Sequence, residues 1–181
     1  MTLKTLNINK SWTLFLDRDG VINKKLENDY VKHWIEFEFM EGTFEALKTI
    51  NDLFGNIVVV PNQQGIGKGV YRTEDLELIH KNMIYELNYK GGRIDKVYFS
   101  PYLDSETHPT RKPNTGMGLM AKKDFPEIDF GKSVIVGDSI TDMQFGRALG
   151  MKTVFISESE TKNDKIDFNF KSLIEFTKAL V

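Results

Sequence analysis

The chain has 181 residues and a net charge of −2, with 40% hydrophobic and 28% charged residues. Such a composition is typical of a globular protein with one hydrophobic core, so we expect a single domain over residues 1–181. The absence of cysteine excludes disulfides and thiolate catalysis, and the small negative charge argues against nucleic acid or an acidic membrane as a partner. No segment has the pattern of a signal peptide or a membrane span, so we expect a cytoplasmic protein, and we expect it to be a monomer.

Short apolar segments along the chain are typical of buried β-strands. They cover residues 13–17, 56–61, 96–101, 133–138 and 152–156. Segments with helical spacing of apolar residues lie between and after them, over residues 42–55, 73–92, 141–150 and 169–180. Nearly continuous apolar strands that alternate with helices indicate an α/β fold, with a parallel sheet covered on both faces.

Polar residues follow three of these strands directly: Asp17 and Asp19 follow the first, Asn62 the second and Asp138 the fourth. Right-handed crossovers bring the carboxyl ends of parallel strands to one edge of the sheet, where open α/β folds bind ligands. We therefore expect these side chains to lie close together. Backbone N–H groups that follow Asp17 and surround Asn62 are suited to bind phosphate oxygens.

The three carboxylates of Asp17, Asp19 and Asp138 would repel one another at that edge. A hard divalent cation with oxygen ligands, most simply Mg²⁺, relieves the repulsion and leaves coordination positions for a phosphate. Lys112, which precedes a predicted helix, can neutralise the same cluster. An aspartate nucleophile, a second acid, Mg²⁺ and a lysine are the parts required for phosphoryl transfer through an aspartyl-phosphate.

In this order the motifs resemble the haloacid dehalogenase superfamily of phosphatases, and within it the histidinol-phosphate and D,D-heptose 1,7-bisphosphate phosphatase group. The segments that carry the resemblance are LFLDRDGVIN (14–23), VVVPNQQGIGKG (58–69), RKP (111–113) and VGDSITDM (136–143). The ordered set is specific, although each segment alone is weak. The resemblance implies a Rossmann-like three-layer α/β/α sandwich, Mg²⁺ as the cofactor and a minimal cap domain or none.

The resemblance also implies a role for individual residues. Asp17 is the nucleophile and Asp19 the general acid and base, and Lys112 is catalytic with them. The expected metal ligands are Asp17, Asp19 and Asp138, with support from Asp142. The residues expected to bind substrate are Asn62, Gln63, Arg111 and Lys112.

The chain departs from the family pattern at two places. Pro61 replaces a Thr or Ser, which removes a hydroxyl and a backbone N–H near the phosphate. A hydrogen bond to a charged group contributes about 1.5–3 kcal/mol, so we expect slower turnover and, for Pro61→Thr, a gain. Relatives often place a Cys/His zinc loop between Ser100 and Arg111, where this chain has only His108. A single histidine does not form a zinc site, so no structural zinc is expected.

Together these features predict a Mg²⁺-dependent phosphatase for a small phosphorylated metabolite, such as the sugar phosphate D-glycero-D-manno-heptose 1,7-bisphosphate. Histidinol phosphate is an alternative substrate. A polynucleotide 3′-phosphatase is another alternative, because segments 62–69 and 111–117 also look like motifs of that enzyme. A phosphate-binding protein whose catalysis is weakened at Pro61 is a third.

Several further residues have a structural interpretation at this level. GIGKG (65–69) lacks the spacing of a nucleotide-binding loop and is interpreted as a turn after the second strand. His80 is interpreted as a surface or hydrogen-bonded histidine, and Arg18 as equally suited to contact substrate or to face away from it. Loops 24–34 and 101–110 are expected to determine substrate specificity.

Overall fold

A computed structural model describes residues 3–181, and in that part of the chain six parallel strands form one sheet in the order β3-β2-β1-β4-β5-β6. The strands are β1 Thr13–Leu16, β2 Asn56–Val59, β3 Lys96–Val97, β4 Ser133–Gly137, β5 Lys152–Ile156 and β6 Phe168–Phe170. Every residue of the central strands β1 and β4 is buried. This is the pattern of strands that are covered on both faces.

Helices cover the two faces of the sheet. They are α1 Thr43–Leu53, α2 Gln64–Gly67, α3 Thr73–Tyr89, α4 Gly116–Asp124, α5 Ile140–Leu149 and α6 Leu173–Lys178. No helix within residues 3–181 combines the length and the apolar character needed to cross a membrane.

Alternate residues of β1 point to opposite faces of the sheet and so define the two sides of the core. Leu14 and Leu16 belong to a buried cluster that includes side chains of α1, α3 and α6. Phe15 belongs to a second buried cluster with side chains of α4 and α5, and its ring contacts that of Phe145 edge-on at a centroid distance of 6.3 Å. The predicted three-layer α/β/α fold with a parallel sheet is therefore confirmed.

Two local predictions were wrong. The segment 169–180 is not one helix, because Phe168–Phe170 pairs with β5 as the edge strand and α6 starts only at Leu173. The side chain of Ser172 caps that helix by accepting a hydrogen bond from the backbone of Glu175. The turn predicted over residues 65–69 is correct only at residues 68–69, because its first part belongs to the one-turn helix α2. A half-buried edge strand and a single helical turn both carry too few apolar residues for a clear periodic signal.

The register of the central strands explains where the polar residues meet. Leu16 of β1 lies opposite Val59 of β2 on one side and Val136 of β4 on the other. The chain segments that follow these positions therefore emerge at the same level of the sheet edge. This places Asp17 and Asp138 side by side.

Candidate active site

A cavity of about 180 Å³ opens at the carboxyl edge of β1, β2 and β4. The sequence-predicted residues in its wall are Asp17, Asp19, Asn62, Arg111, Lys112 and Asp138. The wall also includes residues of the segment 25–31, whereas Pro61, Gln63 and Asp142 do not line the cavity. The topology thus brings together most of the predicted site.

Asp17 lies directly after β1 and is nearly buried. Its Oδ1 accepts a hydrogen bond of 2.8 Å from the backbone N–H of Arg18 and lies 3.1 Å from the Nζ of Lys112. Burial raises the pKa of Asp17 to about 7, and the neighbouring carboxylates of Asp142 and Asp138 act in the same direction, against the lowering effect of Lys112. A carboxylate here needs more positive charge than Lys112 alone supplies.

Lys112 is fully buried between Asp17 and Asp142, and its Nζ donates to Asp142. Burial alone would lower the pKa of Lys112, but the two carboxylates outweigh it and raise the pKa. The backbone of Lys112 is held by Asn62, whose side-chain amide accepts from its N–H and donates to its carbonyl, both at 3.0 Å. Asn62 therefore fixes the loop that presents the lysine.

Asp142 supports the lysine from the first turn of α5. Its Oδ2 accepts hydrogen bonds from the backbone N–H and the hydroxyl of Ser139, while its Oδ1 accepts from Lys112. A Cβ atom at Gly137 would overlap the Asp142 carboxyl group. The glycine that ends β4 is therefore required for the close approach of this side chain.

Oxygen atoms of Asp17, Asp138 and Asp142, which we call the acidic cluster, all lie within 4.8 Å of one another. Both oxygens of Asp142 are already hydrogen-bonded, so Asp17 and Asp138 are the members that have free lone pairs toward the cavity. Burial raises the pKa of Asp138, although Lys25 pairs with it at 2.7 Å and acts against the shift. Carboxylate oxygens at this spacing fit a hard divalent cation such as Mg²⁺.

Asp19, which is predicted to be a metal ligand, is not a member of the acidic cluster of side-chain oxygens. Its oxygens accept hydrogen bonds of 2.9 and 3.0 Å from Arg18, 2.9 Å from Asn23 and 2.8 Å from Gln63. Burial alone would raise the pKa of Asp19, but the Arg18 charge and these hydrogen bonds outweigh it and lower the pKa. In this state protein donors therefore hold both oxygens of the carboxylate in place.

Gln63, a predicted substrate-binding residue, is buried and does not line the cavity. Its amide nitrogen donates to Asp19, and its carbonyl accepts a 2.6 Å hydrogen bond from the hydroxyl of Tyr71. Both polar ends are occupied, so this side chain positions Asp19. Pro61 is also buried, and its carbonyl accepts from the backbone of Ser100 at 3.2 Å.

Sequence reasoning did not foresee how Arg18 and His80 pair. Arg18 is 1% exposed, and its Nη1 lies 3.2 Å from the Nε2 of His80 on α3. Burial and then the Arg18 charge lower the pKa of His80 to about 3, so the neutral ring accepts from the guanidinium. The burial of His80 could have been predicted from the sequence, because His80 follows Leu76 by four residues and lies on the buried face of α3.

Arg111 lines the cavity, but other residues hold its guanidinium. It donates to the carbonyl of Tyr102 at 3.1 Å and pairs with Asp104 at 3.3 Å. The loop 101–110 therefore acts on the cavity through Arg111, whereas the loop 24–34 contributes wall residues directly. His108 in the former loop stacks on Tyr102 with ring centroids 3.4 Å apart.

A family model described as HAD-hydrolase-like matches residues 109–173. Two relatives named D-glycero-alpha-D-manno-heptose-1,7-bisphosphate 7-phosphatase are similar along most of their length. The protein of Mycobacterium bovis is 35% identical, with 93% of this chain and 91% of the relative covered. The protein of Campylobacter jejuni is 36% identical, with 92% and 94% covered.

A solved structure shares the fold. It is the D,D-heptose 1,7-bisphosphate phosphatase of B. bronchiseptica, complexed with magnesium and phosphate. The TM-score is 0.84 at 24% identity, and the match covers 93% of this chain and 97% of the other. The arrangement of strands and helices described above is therefore that of a known enzyme fold.

Proposed function

Because the chain belongs to the haloacid dehalogenase superfamily of phosphatases, in the group of the heptose 1,7-bisphosphate phosphatases, we propose that it hydrolyses the 7-phosphate of D-glycero-D-manno-heptose 1,7-bisphosphate. The observation that carries the proposal is the position of Asp17, whose carboxylate faces the cavity 3.1 Å from the buried ammonium of Lys112. The names of the relatives support the choice of substrate.

Asp17 is the nucleophile in this proposal. Its Oδ1 is held by Lys112 and by the backbone N–H of Arg18, so Oδ2, for which the described residues provide no hydrogen bond, is the attacking atom. Attack on phosphorus forms an aspartyl-phosphate and releases the sugar oxygen. Lys112 stays beside the transferring group and offsets its negative charge.

Asp19 transfers the proton in both halves of the reaction. Its side chain is 24% exposed and lines the cavity. In its acid form, in which one protein donor gives way to a proton, Asp19 protonates the leaving sugar oxygen. The resulting carboxylate then takes a proton from the water that hydrolyses the aspartyl-phosphate, which restores the acid form. The hydrogen bonds from Arg18, Asn23 and Gln63 hold the carboxylate in one orientation for both steps.

Asp17 and Asp138 are the residues that we expect to hold a divalent cation, which fits the paired carboxylates of the acidic cluster. When bound, Mg²⁺ supplies positive charge to the phosphate oxygens and to the carboxylates. Asp142 acts through Lys112, to which it gives both charge and position.

The test is hydrolysis of a panel of phosphate esters with and without Mg²⁺, measured as released phosphate. The panel contains the heptose 1,7-bisphosphate, histidinol phosphate and a 3′-phosphorylated oligonucleotide. We expect the highest kcat/KM for the bisphosphate, with release of one phosphate per molecule. A higher value for histidinol phosphate or the oligonucleotide would replace the proposed substrate, and binding without turnover of any member would indicate a phosphate-binding protein.

The oligomeric state, the location and the metal content are part of the same proposal. We infer a cytoplasmic monomer that carries no structural zinc. Light scattering on the purified protein should give a mass near that of one chain, and metal analysis should find no stoichiometric zinc. Zinc at one equivalent per chain would contradict the prediction based on His108.

A further inference from the structure

Lys25 is a cation on the cavity wall that is held much less firmly than Lys112. Its Nζ lies 2.7 Å from the Oδ2 of Asp138, its single ion pair within residues 3–181, and 58% of its side chain is exposed. Lys112, by contrast, is fully buried between two carboxylates. An exposed ion pair contributes little free energy and breaks readily, so Lys25 is free to exchange its partner and Lys112 is not.

A divalent cation at Asp138 would displace Lys25. The ammonium and the cation would share one carboxylate and would repel each other at short range, whereas an exposed ion pair contributes little free energy to hold the ammonium there. Lys25 and the metal therefore compete for Asp138. When the metal binds, Lys25 loses its ion pair with Asp138 and becomes an unpaired cation on the cavity wall.

The other carboxylates of the cavity are not available to the displaced lysine. Among the described residues that line the cavity, Asp17 is paired with Lys112 and Asp19 with Arg18. Asp29, which belongs to the same loop as Lys25, is paired with Lys32 at 2.6 Å. An anion carried by the substrate is the remaining group that can neutralise Lys25.

We propose that Lys25 is a specificity-determining residue, which leaves Asp138 when the divalent cation binds and then pairs with the second phosphate of the substrate. This assignment rests on the proposed function for the presence of a second phosphate. The segment 25–31 lines the cavity, so the ammonium stays within reach of a ligand whose first phosphate lies at Asp17. Metal loading and recognition of a doubly charged substrate are thereby linked through one side chain.

The first test measures Mg²⁺ binding without substrate, by isothermal titration calorimetry. Lys25→Met removes the competing ammonium, and we expect it to bind Mg²⁺ at least threefold more tightly than the wild type. Lys24→Met is the matched control, because Lys24 carries the same charge, pairs with Glu38 and does not line the cavity. An unchanged Mg²⁺ affinity in Lys25→Met, or an equal gain in Mg²⁺ affinity in Lys24→Met, would overturn the proposed competition between Lys25 and the metal.

The second test compares kcat/KM for the heptose 1,7-bisphosphate with that for the 7-monophosphate at saturating Mg²⁺. In Lys25→Met we expect the ratio of the two values to fall at least tenfold, chiefly through KM for the bisphosphate. Lys24→Met should keep the ratio within twofold, and Lys25→Arg, which retains the charge, should recover most of it. An unchanged ratio in Lys25→Met would overturn the assignment. Failure of the proposed function has a different signature: the wild type would hydrolyse neither sugar phosphate, while Lys25→Met still bound Mg²⁺ more tightly.

Discussion

The carboxylates of Asp17 and Asp19 lie two residues apart in the chain but in opposite environments. Asp17 is surrounded by other members of the acidic cluster, and its burial raises its pKa to about 7. Asp19 accepts two hydrogen bonds from the fully buried Arg18, and its pKa is lowered although burial acts the other way. Arg18 neutralises the carboxylate of Asp19. Lys112 supplies only part of the positive charge that the carboxylate of Asp17 needs, because it is shared with Asp142.

One strand end therefore provides two chemical roles. Asp17 keeps an oxygen free toward the cavity, as a nucleophile requires, and its excess negative charge favours an added cation. Asp19 has its oxygens oriented by neighbours, as a proton-transfer group requires. Substitutions of these residues and of their neighbours should therefore act in opposite directions on stability.

The largest expected effect is that of Asp17→Asn on catalysis. An amide cannot attack phosphorus, so we expect kcat to fall on the order of a thousandfold or more. The same change removes one carboxylate from the acidic cluster, so the melting temperature in metal-free buffer should rise. Phosphate release and thermal unfolding measure the two effects. Asp164→Asn, at an exposed residue paired with Lys165, is the control. More than a few per cent of residual activity would contradict the assignment of the nucleophile.

Asp19→Asn should lower kcat by about 10²- to 10⁴-fold, since proton transfer to the leaving oxygen is lost. Unlike Asp17→Asn, it should also destabilise the fold by about 3–5 kcal/mol, because Arg18 remains buried without its carboxylate. Urea denaturation of the two variants under metal-free conditions provides the comparison. If both variants changed the free energy of unfolding in the same direction, the proposed difference between the environments of the two carboxylates would be wrong.

The pH dependence of stability should also reflect the Asp17 environment. The pKa of Asp17 is higher in the folded state than in the unfolded state, so its ionisation opposes folding. In metal-free buffer this destabilising contribution is absent below about pH 4, grows as pH rises toward 7 and reaches on the order of 4 kcal/mol. Asp17→Asn should lose this contribution, and Mg²⁺ should reduce it in the wild type. Denaturation curves at several pH values, with EDTA and with Mg²⁺, measure it.

His80 should give the opposite pH dependence. Its pKa is lower in the folded state, because burial and Arg18 disfavour the charged ring. The unfolded chain binds this proton below about pH 6.5, so stability falls as pH decreases from there, by up to about 1.4 kcal/mol per pH unit. His80→Gln retains a hydrogen-bond acceptor for Arg18 and should lose this dependence. If the wild type and the variant lost stability in parallel between pH 6.5 and 5, His80 would not be the group that titrates.

The smallest expected effect is that of Pro61→Thr. A threonine restores a backbone N–H and a hydroxyl, and one hydrogen bond to a charged phosphate contributes about 1.5–3 kcal/mol at full strength. Pro61 is buried and does not line the cavity, so we expect only part of this gain, a several-fold increase in kcat/KM with little change in stability. A decrease would indicate that the proline is an adaptation of this site.

Some features of the site could be predicted from the sequence because they depend only on where the strands end. Once β1 and β4 are recognised as parallel and adjacent, Asp17 and Asp138 must emerge together, whatever their side chains contact. The same argument places Asn62 and Lys112 near them only approximately, since both lie on loops. The hydrogen bonds by which the Asn62 side chain holds the backbone of Lys112, for instance, could not be predicted.

The alternation of strands and helices, the family and the edge of the sheet at which the acidic residues meet could all be predicted from the sequence. These follow from local patterns of apolar residues and from the general handedness of parallel strands. The directions of the charged side chains became visible in the three-dimensional structure, because their partners are distant in the chain. Asp19 meets Gln63 across 44 positions, Arg18 meets His80 across 62, and Lys25 meets Asp138 across 113. Such contacts depend on how helices and loops pack around the strand ends, and no local pattern encodes them.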